Sequence, residues 1–553
     1  MKRCLLFLLL LGVMSPIAAQ ETVVERVWVA TDKQVYLAGE RIHCAAFCVD
    51  AAGGLSSLNR VAYLELHSAD GLAATAKLSL DGGRGGGYLD LPVSLPTGNY
   101  RLIAYTAQNR NEIDYGFAGP AARTLSVFNT QSNRRVKDGV EVVSAEEYER
   151  RRIESVRTKE SASREMNRGL LVLSHADSTL TLTNTSSYPL TLCLSITRDD
   201  GILPPAGPSL DTFMEMVHTL GPRQFENRVN IDYEGEVVQA RITGLNPQQM
   251  RAITGKSLFL STPSDQAEIY AAPVAGDGRV SFLTGNIYGF REMICQIEGA
   301  VLPSDARIEF ISPFANAPVT GPASLVLSES IAPALEARTA RQQAERPKKD
   351  SLSDYLPHKE YLLLDANPAV YPLDDYTRFN TLEETFIEFI PQVRVRQDSN
   401  RVPCIQVRLE DVIGTPAFAK EPALILLDGV PVFDHEKMLR YDPRLIKIIE
   451  VYPRTFYLGN YTFSGVVQCI TQKRNLTSFK LDEGVKVLAF EGVSWPTVWL
   501  GDGFWHPLVD LAPGATCQFS GILPATPGRY VVSVEGLTTE DCQPVHATLV
   551  IEK

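Results

Sequence analysis

The sequence predicts a mainly β protein built from tandem β-sandwich domains, with one smaller α+β domain. Most of its 553 residues fall into short runs rich in valine, leucine, isoleucine and tyrosine, which glycine, proline, asparagine and aspartate separate. Two examples are "GNYRLIAYTAQN" at 98–109 and "RYVVSVEG" at 529–536. Runs of this length and spacing are typical of sandwiches. At roughly 100–200 residues a domain, the chain has room for about three to five domains.

Residues 1–19 have the pattern of a secretory signal peptide. Positive charge at Lys2 and Arg3 precedes an apolar core at 5–13, and small residues come before the expected cleavage site. This core is too short to span a bilayer, and no later run approaches the roughly 18 apolar residues that a span needs. We therefore expect an exported protein without a transmembrane segment, in the periplasm or associated with the outer membrane. Exposure at the cell surface stays open.

The charge balance argues against two classes of partner. The formal net charge is −12, and removal of the signal peptide makes it more negative. Nucleic-acid-binding proteins normally present a basic face, so no nucleic acid is expected. Docking on anionic lipid by charge alone is disfavoured for the same reason.

Residues 20–130 are predicted to form the first sandwich. It opens with "TDKQVYLAG" at 31–39, and "LPTGNY" at 95–100 leads into a late strand. This order resembles the MG2 domain of the α2-macroglobulin family, and the matching positions are Asp32, Lys33, Tyr36, Gly39, Leu95, Pro96, Gly98 and Tyr100. The glycines suit turns that a Cβ would disfavour, and the tyrosines are expected to anchor the core.

Protease inhibition, the activity of full-length macroglobulins, is not expected here. Those proteins trap proteases with a bait region and often carry a Cys-Gln thioester. Cys517-Gln518, in "GATCQFSG", lacks the residues that surround a thioester. We also expect this chain to be too short to form the trap.

Two stretches interrupt the β pattern and divide the chain. Both are dense in charged residues and poor in apolar ones, so they are predicted to be solvated helices or flexible linkers. The full prediction is a linker at 131–168, sandwiches at 169–234 and 235–325, a second linker at 326–375, an α+β domain at 376–475 and a C-terminal β-sandwich at 476–553.

The clearest helix signal is "NTLEETFIEFIPQV" at 380–393. Thr381 and Glu384 have the spacing of a capping box. Pro391 ends the pattern. The apolar face is formed by Leu382, Phe386 and Phe389. We expect this face to pack on a neighbouring sheet.

The α+β domain is predicted from "ALILLDGVPVFDHEKMLRYDPRLIKIIEVY" at 423–452. Its first apolar run lacks alternation, which indicates a buried strand. A turn, a short helix, a strand, a glycine-rich turn and a third strand follow. This order resembles the plug domain of TonB-dependent receptors, with matches at Asp428, Gly429, Val430, Pro431, Ile446, Ile449, Glu450, Val451, Gly459, Gly465, Val466, Ile470 and Thr471. The candidate binding residues are Asp428, Gly429, Val430 and Pro431.

We expect no receptor barrel to follow, because 476–553 is far too short for 22 strands of about 10 residues. The wider order resembles a group of large exported proteins of Gram-negative bacteria, which have an MG2-like domain, further macroglobulin- or immunoglobulin-like sandwiches and a late plug-like domain. The matching segments lie at 373–384, 426–434 and 441–443. The resemblance implies envelope location and binding. We therefore expect a non-enzymatic scaffold that docks, through its plug-like and sandwich domains, on an outer-membrane transport or assembly protein or another envelope protein.

No catalytic, cofactor or metal site is expected. His435 lies between Asp434 and Glu436, and could serve acid–base chemistry near neutral pH. However, Asp434 suits a helix cap, and its neighbours suit a solvated helix face. No histidine stands in an H-E-x-x-H pattern, and no serine stands in G-x-S-x-G.

A second functional hypothesis comes from "VSWPTVWLGDGFWHP" at 493–507, which places Trp495, Trp499 and Trp505 close together in sequence. Aromatic faces can stack on sugars or cations. The alternative function is therefore a surface adhesin or a glycan-binding protein. The same tryptophans would also suit the core of a sandwich, and the sequence leaves both interpretations open.

Eight cysteines remain after the signal peptide, and an oxidising compartment permits disulfides. Cys517 and Cys542 lie in one predicted domain, so we expect them to pair. Cys44 and Cys48 are four residues apart on one predicted strand, roughly 13 Å, which is beyond the reach of a disulfide. The spacings do not make a zinc signature.

Overall fold

Strands dominate the regular structure of the computed structural model, which confirms the predicted mainly β fold of sandwich domains. The structure describes residues 24–119, 122–137, 139–166, 169–221, 223–264, 268–349, 367–397, 401–410, 416–524 and 526–553. The predicted signal peptide therefore lies outside the described residues.

The chain forms two compact units that alternate along the sequence. The first unit takes Met1–Ile231, Ala315–Ser353 and Pro496–Lys553, and the second takes Asp232–Phe314 and Asp354–Trp495. The chain thus leaves the first unit and returns to it twice. The predicted one-after-another order of domains is wrong, and strand pairing between distant segments is the reason.

The N-terminal domain, in the first unit, confirms the predicted first sandwich region as β structure. Its strands are β1 (Glu25–Thr31), β2 (Val35–Leu37), β3 (Arg41–Asp50), β4 (Val61–Ser68), β5 (Gly71–Asp81), β6 (Arg84–Asp90), β7 (Gly98–Thr106) and β8 (Arg123–Phe128). Tyr36 is fully buried and donates to the Asp32 carboxylate at 2.7 Å. Tyr100 is also buried, and its hydroxyl donates to the Pro96 carbonyl at 2.7 Å. Gly39 has a φ of +83°, where a Cβ would be strained. Tyr36 and Tyr100 therefore anchor the core of this domain and Gly39 forms a turn, as predicted.

The first predicted linker is ordered where it is described. It contributes β9 (Val140–Val142) and α1 (Ala145–Met166). Tyr148, on α1, is buried, and its hydroxyl accepts from the Leu203 backbone N–H at 2.8 Å. One aromatic side chain therefore anchors a helix whose sequence is otherwise dominated by charge.

The second sandwich begins with β10 (Leu171–Ala176), β11 (Thr179–Asn184), β12 (Leu190–Arg198) and then α2 (Leu210–His218). Ser209 caps α2 by accepting from the Thr212 N–H. The helix buries its apolar face among residues of the N-terminal domain and the second sandwich, namely Trp28, Phe47, Cys193, Trp505 and Leu537. It therefore joins those two domains within the first unit.

The third sandwich lies in the second unit. Its elements are β13 (Val237–Thr243), α3 (Pro247–Ile253), β14 (Ser257–Thr262), β15 (Glu268–Pro273), β16 (Arg279–Leu283), β17 (Phe290–Ile297) and β18 (Arg307–Phe310). One sheet has the order β16-β13-β18, and the other continues from β15 through β14 to β17.

The chain then returns to the first unit through β19 (Leu325–Leu327) and α4 (Ala332–Lys349). β19 pairs in parallel with β9, so a short pair of strands connects the two predicted linker regions. On α4, Arg341 contacts Asp200 at 2.7 Å and Asp502 at 2.6 Å. Arg338 lies 3.7 Å from Glu40 of the N-terminal domain. Residues 332–349 of the second predicted linker are therefore a helix, one of the two predicted alternatives, and this helix contacts both domains of the first unit.

A mixed α+β domain, which we call the mixed domain, follows in the second unit. Its elements are β20 (Ala369–Pro372), α5 (Leu382–Phe389), β21 (Val393–Gln397), β22 (Pro403–Leu409), β23 (Ala417–Phe418), β24 (Leu424–Leu427), β25 (Val430–Pro431), α6 (His435–Leu439), β26 (Ile446–Leu458) and β27 (Tyr461–Thr471). The main sheet has the order β20-β26-β27-β24-β25, with β24 parallel to β27. The capping box of Thr381 and Glu384 on α5 is present, as predicted.

The last strands complete domains that began much earlier. They are β28 (Lys486–Glu491), β29 (Trp499–Leu500), β30 (Phe504–Leu511), β31 (Thr516–Ser520), β32 (Arg529–Thr538) and β33 (Pro544–Glu552). β28 pairs with β17 and so belongs to the third sandwich. β30 and β32 flank β12, and β31 pairs with β11, so they belong to the second sandwich. The predicted domains 169–234 and 476–553 are therefore not separate, because β12 is central and needs a partner on each side.

Candidate functional site

The candidate binding residues at 428–431 form the hairpin turn between β24 and β25. Leu427 pairs with Val430 across this turn. Asp428 and Gly429 have φ angles of 48° and 79°. Two successive positive φ angles define the type I′ turn that Asp-Gly favours. The sequence therefore predicts the turn correctly.

Asp428 is 0% exposed, and both oxygens of its carboxylate accept hydrogen bonds from residues of the same domain. It accepts from the Thr471 N–H at 2.6 Å, from the Thr471 hydroxyl at 2.7 Å and from the Leu476 N–H at 2.7 Å. These bonds tie the end of β24 to the segment that follows β27. A buried carboxylate needs such partners, since an unpaired charge in the interior is strongly disfavoured.

The main chain of the same turn is bound by the third sandwich. The Ser264 N–H donates to the Asp428 carbonyl at 2.8 Å, and the Gln296 amide donates to the Pro431 carbonyl at 2.9 Å. Gly429, Val430 and Pro431 are all buried. The prediction that 428–431 binds a partner is corrected by this packing, because the turn is covered by its own chain.

Two apolar layers explain why the turn lies inside. Ile425 and Leu427 face the helix-bearing side of the mixed domain, where they pack in one cluster with Phe386. Leu424 and Leu426 belong to a second cluster that includes Phe259 of the third sandwich. The unbroken apolar run of β24 therefore reflects burial on both faces, as the sequence predicted.

The outward side of α5 is the part of the mixed domain that stays open. Ile387 is 64% exposed, although Leu382 and Phe386 on the same helix are buried. Glu383, Glu384 and Glu388 are exposed on the same helix. We call Glu383, Glu384, Ile387 and Glu388 the α5 face. Sequence reasoning missed it, although an isoleucine outside the apolar face of an amphipathic helix was the available signal.

Half-buried aromatic rings lie at the base of α5. The ring of Phe389 is 4.8 Å from that of Tyr376 and 5.4 Å from that of Phe379, measured between centroids. Tyr371 and Tyr376 are 6.4 Å apart. Paired aromatic rings of this kind supply large, rigid contact area at protein interfaces.

His435 has a structural role. Its Nδ1 accepts from the Ile405 backbone N–H at 2.9 Å. Burial lowers the pKa of His435 to about 4, although the charge of Asp434 works in the opposite direction. The Asp434 side chain caps α6 through the Lys437 N–H at 3.0 Å. The ring is therefore neutral at physiological pH, with one nitrogen already engaged.

The three candidate tryptophans do not form one exposed site. Trp505 is 1% exposed and belongs to the cluster around α2. Trp495 is 5% exposed, lies in the second unit and contacts Tyr288 edge-on. Trp499 alone is half-buried, and its ring stacks on His43 with centroids 5.7 Å apart. Two of the three are core residues, which corrects the prediction of a shared glycan-binding surface.

The predicted Cys517–Cys542 disulfide is absent, and both residues are free thiols. Cys517 lies on β31 and packs against the core of the second sandwich, while Cys542 is buried in the cluster around α2. Burial raises the pKa of the Cys542 thiol to about 12. The disulfide prediction was wrong because it assumed that cysteines close in sequence are also close in space. Cys44 and Cys48 are also free and lie on the one strand β3, as expected.

The described residues offer neither a candidate metal site nor a candidate membrane-spanning helix. No group of three or more histidine, cysteine, aspartate or glutamate side chains there could hold a metal ion. In that same part of the chain, no helix combines the length and the apolar character that a membrane crossing requires.

Comparison with solved structures finds large bacterial proteins of very low identity. Neither a protein-family model nor a curated protein sequence matches the chain. Native Escherichia coli α2-macroglobulin is 8% identical, with 96% of this chain and 40% of that chain covered and a TM-score of 0.22. Methylamine-reacted Salmonella α2-macroglobulin is 8% identical, with 96% and 39% covered and a TM-score of 0.23. The Escherichia coli adhesin FdeC is 11% identical, with 52% and 64% covered and a TM-score of 0.15.

The chain thus spans about two fifths of the length of the macroglobulins that it resembles. At these TM-scores the likeness carries no argument about function.

Proposed function

We propose that this protein is a non-enzymatic scaffold of the cell envelope that docks on an outer-membrane transport or assembly protein. The mixed domain, with its plug-like order of elements, makes the contact, and the sandwich domains hold it in place. The observation that carries the proposal is the α5 face, where Ile387 is 64% exposed on a helix whose other face is well packed.

The α5 face replaces the 428–431 turn as the proposed contact. An accessible apolar side chain among carboxylates, beside a group of half-buried aromatic rings, combines features common at protein interfaces. Apolar and aromatic anchors supply binding energy when they lose water, whereas charges around them mainly set partner choice and association rate. The carboxylates of Glu383, Glu384 and Glu388 favour a basic surface on the partner.

The packing of the mixed domain supports a role of the α5 face in docking. The main sheet of the mixed domain is buried on both faces, one against its own helices and one against the third sandwich. The ring of Phe259 contacts those of Phe433 and Tyr461 at 5.0 and 5.2 Å. A preorganised surface loses little conformational entropy on binding, which favours affinity.

The proposed location is the periplasm or the outer membrane. A position on the outer membrane leaves exposure at the cell surface open. It rests on the signal-peptide pattern at 1–19. The glycan-binding alternative now rests on Trp499 alone, whose ring is half-exposed.

The test is photo-crosslinking in intact cells, with a benzophenone amino acid in place of Ile387. The matched control carries the same group in place of Leu283, which is 72% exposed in the same unit. We expect an outer-membrane β-barrel protein or its assembly factor to be captured from position 387 and not from position 283. Equal capture from both positions, or capture of neither class from position 387, would contradict the proposal.

A further inference from the structure

A chain of half-buried charges connects the N-terminal domain to the second sandwich. Glu535, on β32, accepts from the Trp28 indole N–H at 2.5 Å, and Trp28 belongs to β1. Arg123, on β8, lies 3.4 Å from the same carboxylate. The Arg123 guanidinium also stands 5.4 Å from the Trp28 ring centroid. One carboxylate of the sandwich is thus held by two strands of the neighbouring domain.

His546 extends this chain to α2. It lies directly opposite Glu535 in the antiparallel pair of β32 and β33. Its Nε2 is 3.0 Å from the Asp211 carboxylate, in the first turn of α2. Two residues further along that helix lies Phe213, whose ring is 5.4 Å from that of Trp28. Strands β32 and β33 and helix α2 therefore meet at His546.

The charges of this cluster balance only when His546 is protonated. Arg123 and His546 then supply two positive charges against the carboxylates of Glu535 and Asp211. With a neutral imidazole, one negative charge in the cluster has no counterpart. Such an excess is unfavourable in a partly buried site, where charges interact more strongly than in water.

We propose that Trp28, Arg123, Asp211, Glu535 and His546 form a proton-sensitive clasp between the N-terminal domain, α2 and the second sandwich. Protonated His546 closes the clasp by bridging Asp211 and Glu535. Neutral His546 loosens α2 first, because its contact with the Asp211 carboxylate then loses its ionic attraction. Arg123 and Trp28 keep their contacts with Glu535, so the domains loosen and do not separate.

The acid–base balance around His546 agrees with this geometry. Burial disfavours its charge, but the Asp211 hydrogen bond and the charges of Glu535 and Asp211 outweigh burial and raise the pKa of His546 above its ordinary value of about 6.5, with Arg123 opposing them. Burial also disfavours the charge of Glu535, yet Arg123 and His546 lower the pKa of this carboxyl, which stays ionised. Cys193, whose thiol donates to the Glu535 carbonyl at 3.2 Å, has a pKa raised by burial and stays neutral.

The direction of the pH effect follows from the raised pKa. A group with a higher pKa in the folded state stabilises that state fully below its unfolded pKa. This contribution is lost as the pH rises through the folded pKa. The clasp is therefore closed below about pH 6.5 and opens as the pH rises through the raised pKa of His546 in the folded protein.

Hydrogen–deuterium exchange of the full chain tests the clasp, with rates corrected for intrinsic exchange, at about pH 5.5 and about pH 8.5. We expect the protection of α2 and β33 to fall severalfold at the higher pH in the wild-type protein. In His546→Asn, protection should be low at both pH values. The control is His218→Asn, on the exposed side of the same helix, which should behave like the wild type.

Two results would overturn the clasp. One is equal protection of α2 at both pH values in the wild-type protein, and the other is an unchanged pH effect in His546→Asn. If that variant does not fold, an NMR titration of the ring carbons of His546 in the wild-type protein decides the matter. A titration midpoint at or below about 6.5 refutes the mechanism.

Discussion

Replacing Asp428 by asparagine separates the structural role of the 428–431 turn from a role in binding. Asparagine tolerates the left-handed backbone at φ 48° as well as aspartate does, so the turn itself is preserved. Its amide offers one acceptor oxygen where the carboxylate offered two. Either the Thr471 N–H or the Leu476 N–H then faces an NH₂ group.

The expected loss of stability can be worked from these contacts. One buried donor left without an acceptor costs about 1–3 kcal/mol. The change from a charged to a neutral acceptor in the remaining bonds adds about 1 kcal/mol. Asp428→Asn should therefore lower the free energy of unfolding of the second unit by about 2–4 kcal/mol.

The assay is urea unfolding followed by ¹⁹F NMR of 5-fluorotryptophan, since the Trp495 signal reports the second unit. The matched control is Asp434→Asn, because Asp434 is an exposed helix cap and asparagine caps equally well, so its effect should stay within about 0.5 kcal/mol. Equal midpoints for the two variants would refute the structural role of Asp428. A stable Asp428→Asn variant that fails to capture its partner would restore the turn as a binding site.

Three further predictions follow from the pairing and burial described above. A chain that lacks 496–553 should lose the cooperative unfolding of the first unit, which circular dichroism and ¹H NMR would show. A folded first unit in that chain would mean that β12 does not need β30 and β32. Alkylation of the purified, unreduced chain in denaturant should label Cys517 and Cys542, and mass spectrometry that finds them unlabelled and linked would restore the disulfide. Trp505→Ala should destabilise the first unit by about 3–5 kcal/mol, as for other large buried aromatic residues, while Trp499→Ala should keep its fold. Loss of sugar binding on a glycan array in Trp499→Ala alone would support the adhesin alternative, and equal destabilisation by both substitutions would contradict the burial difference.

Local features were predictable from the sequence because they depend on neighbouring residues. Thr381 and Glu384 form the capping box, Asp428 and Gly429 form the hairpin turn, and Tyr36 anchors the core of the N-terminal domain. In each case the residue types that favour the geometry lie within a few positions of one another. Hydrogen bonding over such short separations needs no knowledge of the rest of the fold.

Long-range pairing was not predictable in this way. Leu190 of β12 lies opposite Thr538 of β32, and nothing in either strand specifies the other. Many apolar strands in this chain would satisfy the same alternation of side chains. The predicted separation of 169–234 from 476–553 failed for this reason, since it assumed that neighbours in sequence share a domain. The predicted disulfide failed because Cys517 and Cys542 pack in different apolar clusters.

The burial of the candidate site could have been inferred in part. Leu424, Ile425, Leu426 and Leu427 are all apolar, which requires cover on both faces of the strand. The cover on one side comes from the third sandwich, and its identity is visible only in three dimensions. The α5 face is the complementary case, since Ile387 lies outside the apolar face of Leu382, Phe386 and Phe389 that the sequence predicts, and its exposure follows from that position.

The alternation of the two units along the chain sets an order of events during synthesis. β12 leaves the ribosome long before β30 and β32, between which it lies, because the whole second unit is made in the interval. An apolar strand whose partners do not yet exist is exposed to aggregation and to proteases. The second unit has all its strands once β28 is made, so it can fold while the first unit is still incomplete. Chains interrupted after residue 495 would therefore carry one finished unit and one open sheet, and cellular quality control can recognise that difference.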